Sequence, residues 1–334
     1  DKETRSRINE LLRYPHDSAG SIMTVEYLDL KKTITLRHAL DKIKKVGIDQ
    51  ETIYTCYVIE NKKLLGIVTA KSLMLSDEDT LIETLMETHI ISVNTHMDKE
   101  EVSKLFHKYH LIAIPVVDTE NCMVGIVTFD DAMEVYEDEM NEDISLMAAV
   151  QPSDDSYFET SVFNHAKHRI LWLLVLMLSA TITGTILSSY EKMIASVPLL
   201  VSFIPMLMDT GGNCGTQSST LVIRGIATDE IQFRDLFRVA FKEAQVSLLV
   251  GLALAVVNGI RILLMYQDPM LALLLGITLM ATVFMAELIG CVLPLLAKKV
   301  HLDPAIMAAP LITTIVDTFS IMIYFGVATM LLGL

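Results

Sequence analysis

The chain has 334 residues, 52% of them hydrophobic, and a formal net charge of −15. Residues 1–165 hold 16 Lys/Arg against 31 Asp/Glu, whereas residues 166–334 are mostly apolar and hold 10 of each. An acidic soluble half excludes a nucleic-acid partner, which requires a basic patch, and favours cations.

The chain opens on a charged segment, Asp1–Arg13, with no initiator Met and no signal peptide, as a fragment or a processed chain would. Cys56, Cys122, Cys214 and Cys291 are scattered without CxxC or zinc spacing and predict reduced, structural thiols. An internal repeat then organises the soluble half. Gly66-Ile67-Val68-Thr69 recurs as Gly125-Ile126-Val127-Thr128, each after a β-rich run, Tyr54–Glu60 and Leu111–Asp118. Amphipathic helices are predicted ahead of these runs, over Leu36–Val46 and Lys99–Tyr109. The copies begin alike, at Ser21-Ile22-Met23-Thr24 and Thr84-Leu85-Met86-Glu87. Two β-α-β-β-α units of about 60 residues, packed face to face, resemble a tandem CBS pair over residues 19–136.

Glu134–Met147 reads as an acidic helix, ended by Gln151–Ser156, and a short amphipathic helix over Phe158–His168 leads to the apolar half. Five apolar segments follow, at 170–190, 197–223, 240–265, 270–297 and 304–333. Each is long enough to cross a hydrocarbon core, which takes about 20 helical residues. The Lys/Arg bias places Arg224, Arg234, Arg238, Lys242, Lys298 and Lys299 in inner loops and little beyond Lys192 outside. The soluble half is then cytosolic, the C-terminus outside and the protein multi-pass in a bacterial-type inner membrane, in contact with lipid. Arg261 falls toward the outer end of its span.

There is no HExxH, GxSxG, P-loop or GxGxxG, so no enzyme is predicted. The pairs His107/His110 and His165/His168 lack a third ligand in reach and read as surface groups. Carboxylates inside spans are more informative, because each costs several kcal/mol unless hydrated, paired or bound to an ion. These are Asp209, Glu287 and Asp317, with Glu243 near a span end. Asp317, Thr313 and Ala309 form one small, partly polar stripe suited to a pore wall. Asp209-Thr210-Gly211-Gly212-Asn213-Cys214-Gly215 should interrupt its helix, since three glycines in five residues weaken it. Asn213, Thr216 and Gln217 could offer oxygens to a hydrated ion; the competing explanation is close helix packing through small residues.

Pro205–Asn213 with Gln217-Ser218 and Arg224-Gly225, and Asp303-Pro304-Ala305 with Pro310-Leu311 through Asp317, resemble two transmembrane helices of the MgtE magnesium-channel family. The order of CBS pair, acidic connecting helix and five spans matches as well. The resemblance implies an α/β tandem CBS module fused to an all-α five-helix transmembrane domain. Its expected parts are an N-terminal remnant or linker helix (1–18), CBS motifs (19–83 and 84–136), the acidic connecting or plug helix and linker (137–168), and the pore domain (169–334). It also implies a homodimer with the pore on the two-fold axis and a Mg²⁺ site built on Asp317. Intracellular Mg²⁺ would be sensed by Glu134, Glu139, Glu142 and Asp143 on the connecting helix and by Asp303 before the last span. ATP is the family's nucleotide, and the Thr-x-x-Asp that holds an adenine nucleotide's ribose in CBS modules is present as Thr128 and Asp131. In the first copy Ser72 stands where that Asp would be, so one site per chain is expected. Two further departures are noted: the family's N-terminal domain is missing or reduced to Asp1–His16, and Ala309 replaces an Asn of some members. The alternative is a membrane-tethered nucleotide sensor without transport, which would need neither intramembrane carboxylates nor a glycine break.

Overall fold

The computed structural model describes residues 13–153 and 156–333. Most of the expected N-terminal remnant, residues 1–12, lies outside them. The chain divides into two compact units, 1–140 and 141–334.

The first unit holds the repeat. A short helix α1 (Ala19–Ile22) precedes β1 (Tyr27–Leu30), α2 (Leu36–Val46), β2 (Thr52–Glu60), β3 (Lys63–Thr69) and α3 (Ala70–Leu75). A matching short helix α4 (Ile82–Leu85) precedes β4 (Val93–Asn94), α5 (Lys99–Tyr109), β5 (Ala113–Val117), β6 (Met123–Thr128) and α6 (Phe129–Met147). Each copy forms a three-stranded sheet, β1-β2-β3 or β4-β5-β6, with the first pairing parallel and the second antiparallel. Both predicted amphipathic helices occur with the expected bounds. The acidic helix begins earlier than predicted, at Phe129, directly after Thr128.

Local chemistry sets these bounds. Asp98 accepts the Glu100 N–H at 2.8 Å and starts α5, whose first turn carries Glu100 and Glu101 where the helix dipole favours negative charge. His110 ends α5 in the left-handed region, at φ 52°. In α2, Leu36 and Ala39 are buried, and Leu40, Ile43 and Val46 join the same core with Leu28, Val58 and Val68.

The repeats exchange their opening segments. Ala19 and Met23 pack in the second copy's core with Val93, Phe106 and Ile114, while Leu85 and Met86 pack against the first copy's. Thr24 pairs with Ile126 through two backbone hydrogen bonds of 2.8 and 2.9 Å, and Glu87 pairs with Ile67 at 2.9 and 3.0 Å. This crossing explains the glycine in each Gly-Ile-Val-Thr. A Cβ on Gly125 would stand 2.7 Å from the Thr24 carbonyl, and one on Gly66 2.8 Å from that of Glu87. The sheets meet through Tyr57, Ala113, Met123 and Ile126 with Tyr27, Ile59, Leu64 and Ile67, so the units pack face to face as expected. All four cysteines are free thiols, and burial pushes that of Cys56 up to about 12.

The second unit is helical: α7 (Val162–Ser189), α8 (Glu191–Ser196), α9 (Ile204–Ala227), α10 (Leu236–Tyr266), α11 (Pro269–Lys299) and α12 (Ala309–Leu332). The predicted separate helix over Phe158–His168 does not form. Ser161 caps Asn164 N–H at 3.2 Å, and from Val162 the amphipathic turns run on into the first span as one helix. Among the described residues, helices within 162–189, 233–266, 269–299 and 304–332 are long and apolar enough to cross a membrane. The fifth, α9, has 24 residues and so reaches about 36 Å, but is more polar.

The expected glycine break in α9 is also absent: the helix runs unbroken through Asp209–Ser219. The glycines act by letting helices approach. A Cβ on Gly211 would lie 2.8 Å from Thr282 Cγ2 and 2.9 Å from Val316 Cγ1; one on Gly215 would lie 2.8 Å from Ile312 Cγ2. Gly290 of α11 seats against the Gly215 backbone in return. With almost no hydrophobic drive between helices in lipid, such contacts supply the packing, and they outweigh the weak helix propensity of glycine. α11 packs against α9, α10 and α12, and Tyr324 Oη donates to the Leu200 carbonyl at 3.0 Å.

Gly66→Ala and Gly125→Ala should each destabilise the first unit by about 1–3 kcal/mol, because the Cβ meets backbone. Scanning fluorimetry should show its melting temperature fall by several degrees. Gly184→Ala, in the interior of α7 with nothing within 4 Å, should not lower melting, since Ala has the higher helix propensity.

Candidate functional site

The residues expected to line a pore lie on α9 and α12, which run antiparallel. Gly211 meets Val316 and Ser320, whereas Gly215, one turn on, meets Ile312 and Val316. Gly212 sits against Thr313: a Cβ added there would stand 3.0 Å from Thr313 Cγ2. Thr313 and Asp317, four residues apart, share a helix face and are each partly exposed. The Thr313 hydroxyl donates to the Pro310 carbonyl at 3.0 Å, leaving its oxygen lone pairs available. Ala309 opens α12, and its side chain lies outside the described residues.

Asn213 belongs to a longer feature that sequence inspection missed. Asp209, Asn213, Gln217, Thr220 and Arg224 are all exposed on α9. Their spacing of 4, 4, 3 and 4 places them on one face over about 22 Å. The opposite face is covered by the chain's own helices: Leu207, Gly211, Cys214, Ser218 and Val222 are buried. The pattern was present in the sequence, but expecting a broken helix hid its period. Thr216, the third oxygen donor considered, is half-buried beside the stripe.

Glu287 is buried, and its Oε2 has no partner among the described residues. Its backbone carbonyl accepts from Ser218 Oγ at 3.0 Å, tying α11 to α9.

The expected sensing residues are dispersed. Glu134 and Glu142 are exposed on α6, with Glu139 and Asp143 half-buried at i,i+4. Lys99 Nζ lies 3.0 Å from Asp17 Oδ1 and 3.9 Å from Glu139 Oε1. Partial burial pulls the Lys99 amine down, but the Asp17 hydrogen bond and the charges of Asp17, Glu139 and Asp138 hold it above its ordinary range. Asp303 Oδ1 accepts the Ala305 N–H at 2.7 Å and caps the 3₁₀ turn Pro304–Met307 that leads into α12. Among the described residues, no three His, Cys, Asp or Glu side chains form a group able to hold a metal ion.

Thr128 and Asp131 are brought together. Thr128, buried at the end of β6, donates from Oγ1 to Asp131 Oδ2 at 2.7 Å on the first turn of α6. Asp131 thereby keeps its other oxygen for a ligand hydroxyl. In the first copy Thr69 Oγ1 meets the Ser72 hydroxyl at 3.0 Å, with no carboxylate. His107 and His110 line a separate, mostly apolar groove of about 580 Å³ with Phe106, Phe129 and Tyr136.

Comparison with known proteins decides the family. A family model described as a divalent cation transporter, MgtE, matches residues 204–327, and CBS-domain models match 19–78 and 82–138. The magnesium transporter MgtE of Thermus thermophilus is 37% identical over 335 aligned residues, covering 99% of this chain and 74% of that protein. The chain belongs to the MgtE family. The MgtE of Bacillus subtilis is 36% identical, with 96% of this chain and 70% of that one covered. A solved MgtE cytosolic domain in complex with ATP is 37% identical, with a TM-score of 0.40, and the match covers 40% of this chain and 55% of that one. MgtE proteins are membrane transporters rather than enzymes.

The glycine contacts generate a prediction. Gly211→Val places methyl groups where Thr282, Val316 and Ser320 already stand within about 3 Å. It should separate α9 from α12, lowering the melting temperature of the detergent-solubilised protein by several degrees. Unchanged melting would mean that the helices are not held this closely.

Proposed function

We propose that this chain conducts Mg²⁺ across a membrane through a pore formed between two copies, lined by α9 and α12, with Asp317 from each copy at the ion site. The carrying observation is the polar stripe on α9. Lipid cannot satisfy Asp209, Asn213 and Gln217 at membrane depth, and the chain's own helices leave them uncovered. Water enclosed by a second copy satisfies them. Mg²⁺ gives up its waters reluctantly, so Asp317 acts on a largely hydrated ion, and facing carboxylates select cations. The Lys/Arg distribution favours a cytosolic first unit and an outer C-terminus. In proteoliposomes Asp317→Asn should lower Mg²⁺ flux at least about tenfold while the oligomer stays intact. Wild-type flux would refute the assignment.

Regulation follows from charge. In a dimer the acidic helices α6 are brought near each other, and Mg²⁺ between carboxylates of Glu134, Glu139, Glu142 and Asp143 turns repulsion into attraction. Binding that is tighter in the compact state is all that closure by intracellular Mg²⁺ requires. Lys99 offsets part of the charge at Glu139. Asp303 is a second sensing position, since it caps the turn entering the helix that carries Asp317. Millimolar internal Mg²⁺ should suppress wild-type flux and leave the Glu139/Glu142/Asp143→Ala triple variant conducting; equal suppression of both removes the sensor.

An adenine nucleotide, ATP in the family, is proposed at Thr128 and Asp131, where a carboxylate oxygen is free for a ribose hydroxyl. Calorimetry on the full chain should detect ATP binding that weakens about tenfold or more in Asp131→Ala. Equal affinity in that variant would move the nucleotide elsewhere.

A further inference from the structure

We infer that Asp209 belongs to the same ion site as Asp317, so that each copy presents two carboxylates, one from α9 and one from α12, to a hydrated divalent cation. The inference rests on the pore reading above and extends it to a residue on the facing helix. Register carries it. Gly212 and Thr313 are in contact across the two helices. Because α9 and α12 are antiparallel, moving three residues back along α9 and four forward along α12 leads the same way. These steps rise about 4.5 Å and about 6 Å, so Asp209 and Asp317 arrive at one level, each on the face of its contacting neighbour. Gly211, on the covered face of α9 at this level, lets α9 and α12 approach; a Cβ there would meet Val316 and Ser320 of α12 and force the helices apart.

Two further observations bear on what this pair binds. Among the described residues neither carboxylate makes a hydrogen bond or an ion pair. Arg261 of α10, whose Nη2 reaches α9 one turn before Asp209, is directed to Met206 Sδ at 3.0 Å. Behind this level, next to Gly211, Val316 and Ser320, the fully buried Thr282 Oγ1 also lacks a partner among the described residues. A buried polar atom of this kind is normally satisfied by water. Four carboxylates around one axis favour a doubly charged ion over a singly charged one, and act through its water shell without stripping it.

The test measures Mg²⁺ influx into proteoliposomes of the full chain, against Mg²⁺ concentration and against competing Na⁺, for Asp209→Asn, Asp209→Glu, Asp317→Asn, the double Asn variant and Arg261→Gln. Asp209→Asn should raise half-saturating Mg²⁺ about tenfold and weaken discrimination against Na⁺. Asp209→Glu should recover to within about threefold of wild type. The double variant should lose no more than Asp317→Asn alone, because both residues serve one ion. If Asp209→Asn does not fold, Asp209→Ser replaces it. Wild-type half-saturation in Asp209→Asn alongside lost flux in Asp317→Asn would overturn this inference and leave the pore reading standing. Wild-type flux in Asp317→Asn would overturn the pore reading itself. An effect of Arg261→Gln equal to that of Asp209→Asn would make Asp209 a counter-ion of Arg261 and overturn the inference.

Discussion

A polar side chain at membrane depth has no bulk water to fall back on, and this constraint organises the second unit. On the proposed reading α9 carries four such side chains on one face, Asp209, Asn213, Gln217 and Thr220, with Arg224 at its inner end, and it packs its other face against α11 and α12. Close packing on that second face uses glycine at 211, 212 and 215, because a Cβ added at 211 or 212 would stand about 3 Å or less from Thr282, Val316 or Thr313. The contacts that build the bundle therefore also fix which way the polar stripe points. They set the height of Asp317 against α9 as well. Stability and function are coupled through one helix.

The first unit meets a different constraint by a similar device. Each repeat lends its opening segment to the other, and the crossing chain lies directly over a glycine, Gly66 or Gly125. Exchange makes the pair one folded object, with a shared core between the two sheets. Thr128 and Asp131 lie at the strand-to-helix junction that follows one of these crossings, so their 2.7 Å contact is held by packing.

Much of this was legible in the residues. The recurrence of Gly-Ile-Val-Thr, the 3.6-residue periodicity of α2 and α5, and the apolar lengths of α7, α10, α11 and α12 predict the elements found. The errors share a cause. Helix propensity argues for a break at Gly211–Gly215, yet packing of the bundle decides the conformation, and the glycines serve it. The same competition let the turns near Phe163 join the first span, because hydrogen bonding continues wherever no breaker intervenes. At the proposed site, Asp317 and Asn213 were readable as polar groups in apolar runs, and Thr313 by its place one turn from Asp317. The register that aligns Asp209 with Asp317 was not, since it depends on contacts between helices about 100 residues apart in sequence.

The central claim is that the polar face of α9 lines water. Cysteine accessibility tests it most directly, with Asn213, Gln217 and Thr220 replaced singly and Leu221 and Leu249 replaced as lipid-facing controls. A charged, membrane-impermeant thiol reagent should modify the three stripe positions and spare the controls, and millimolar Mg²⁺ should slow the reaction. Stripe cysteines as unreactive as that at Leu249 would show a dry face and contradict the account.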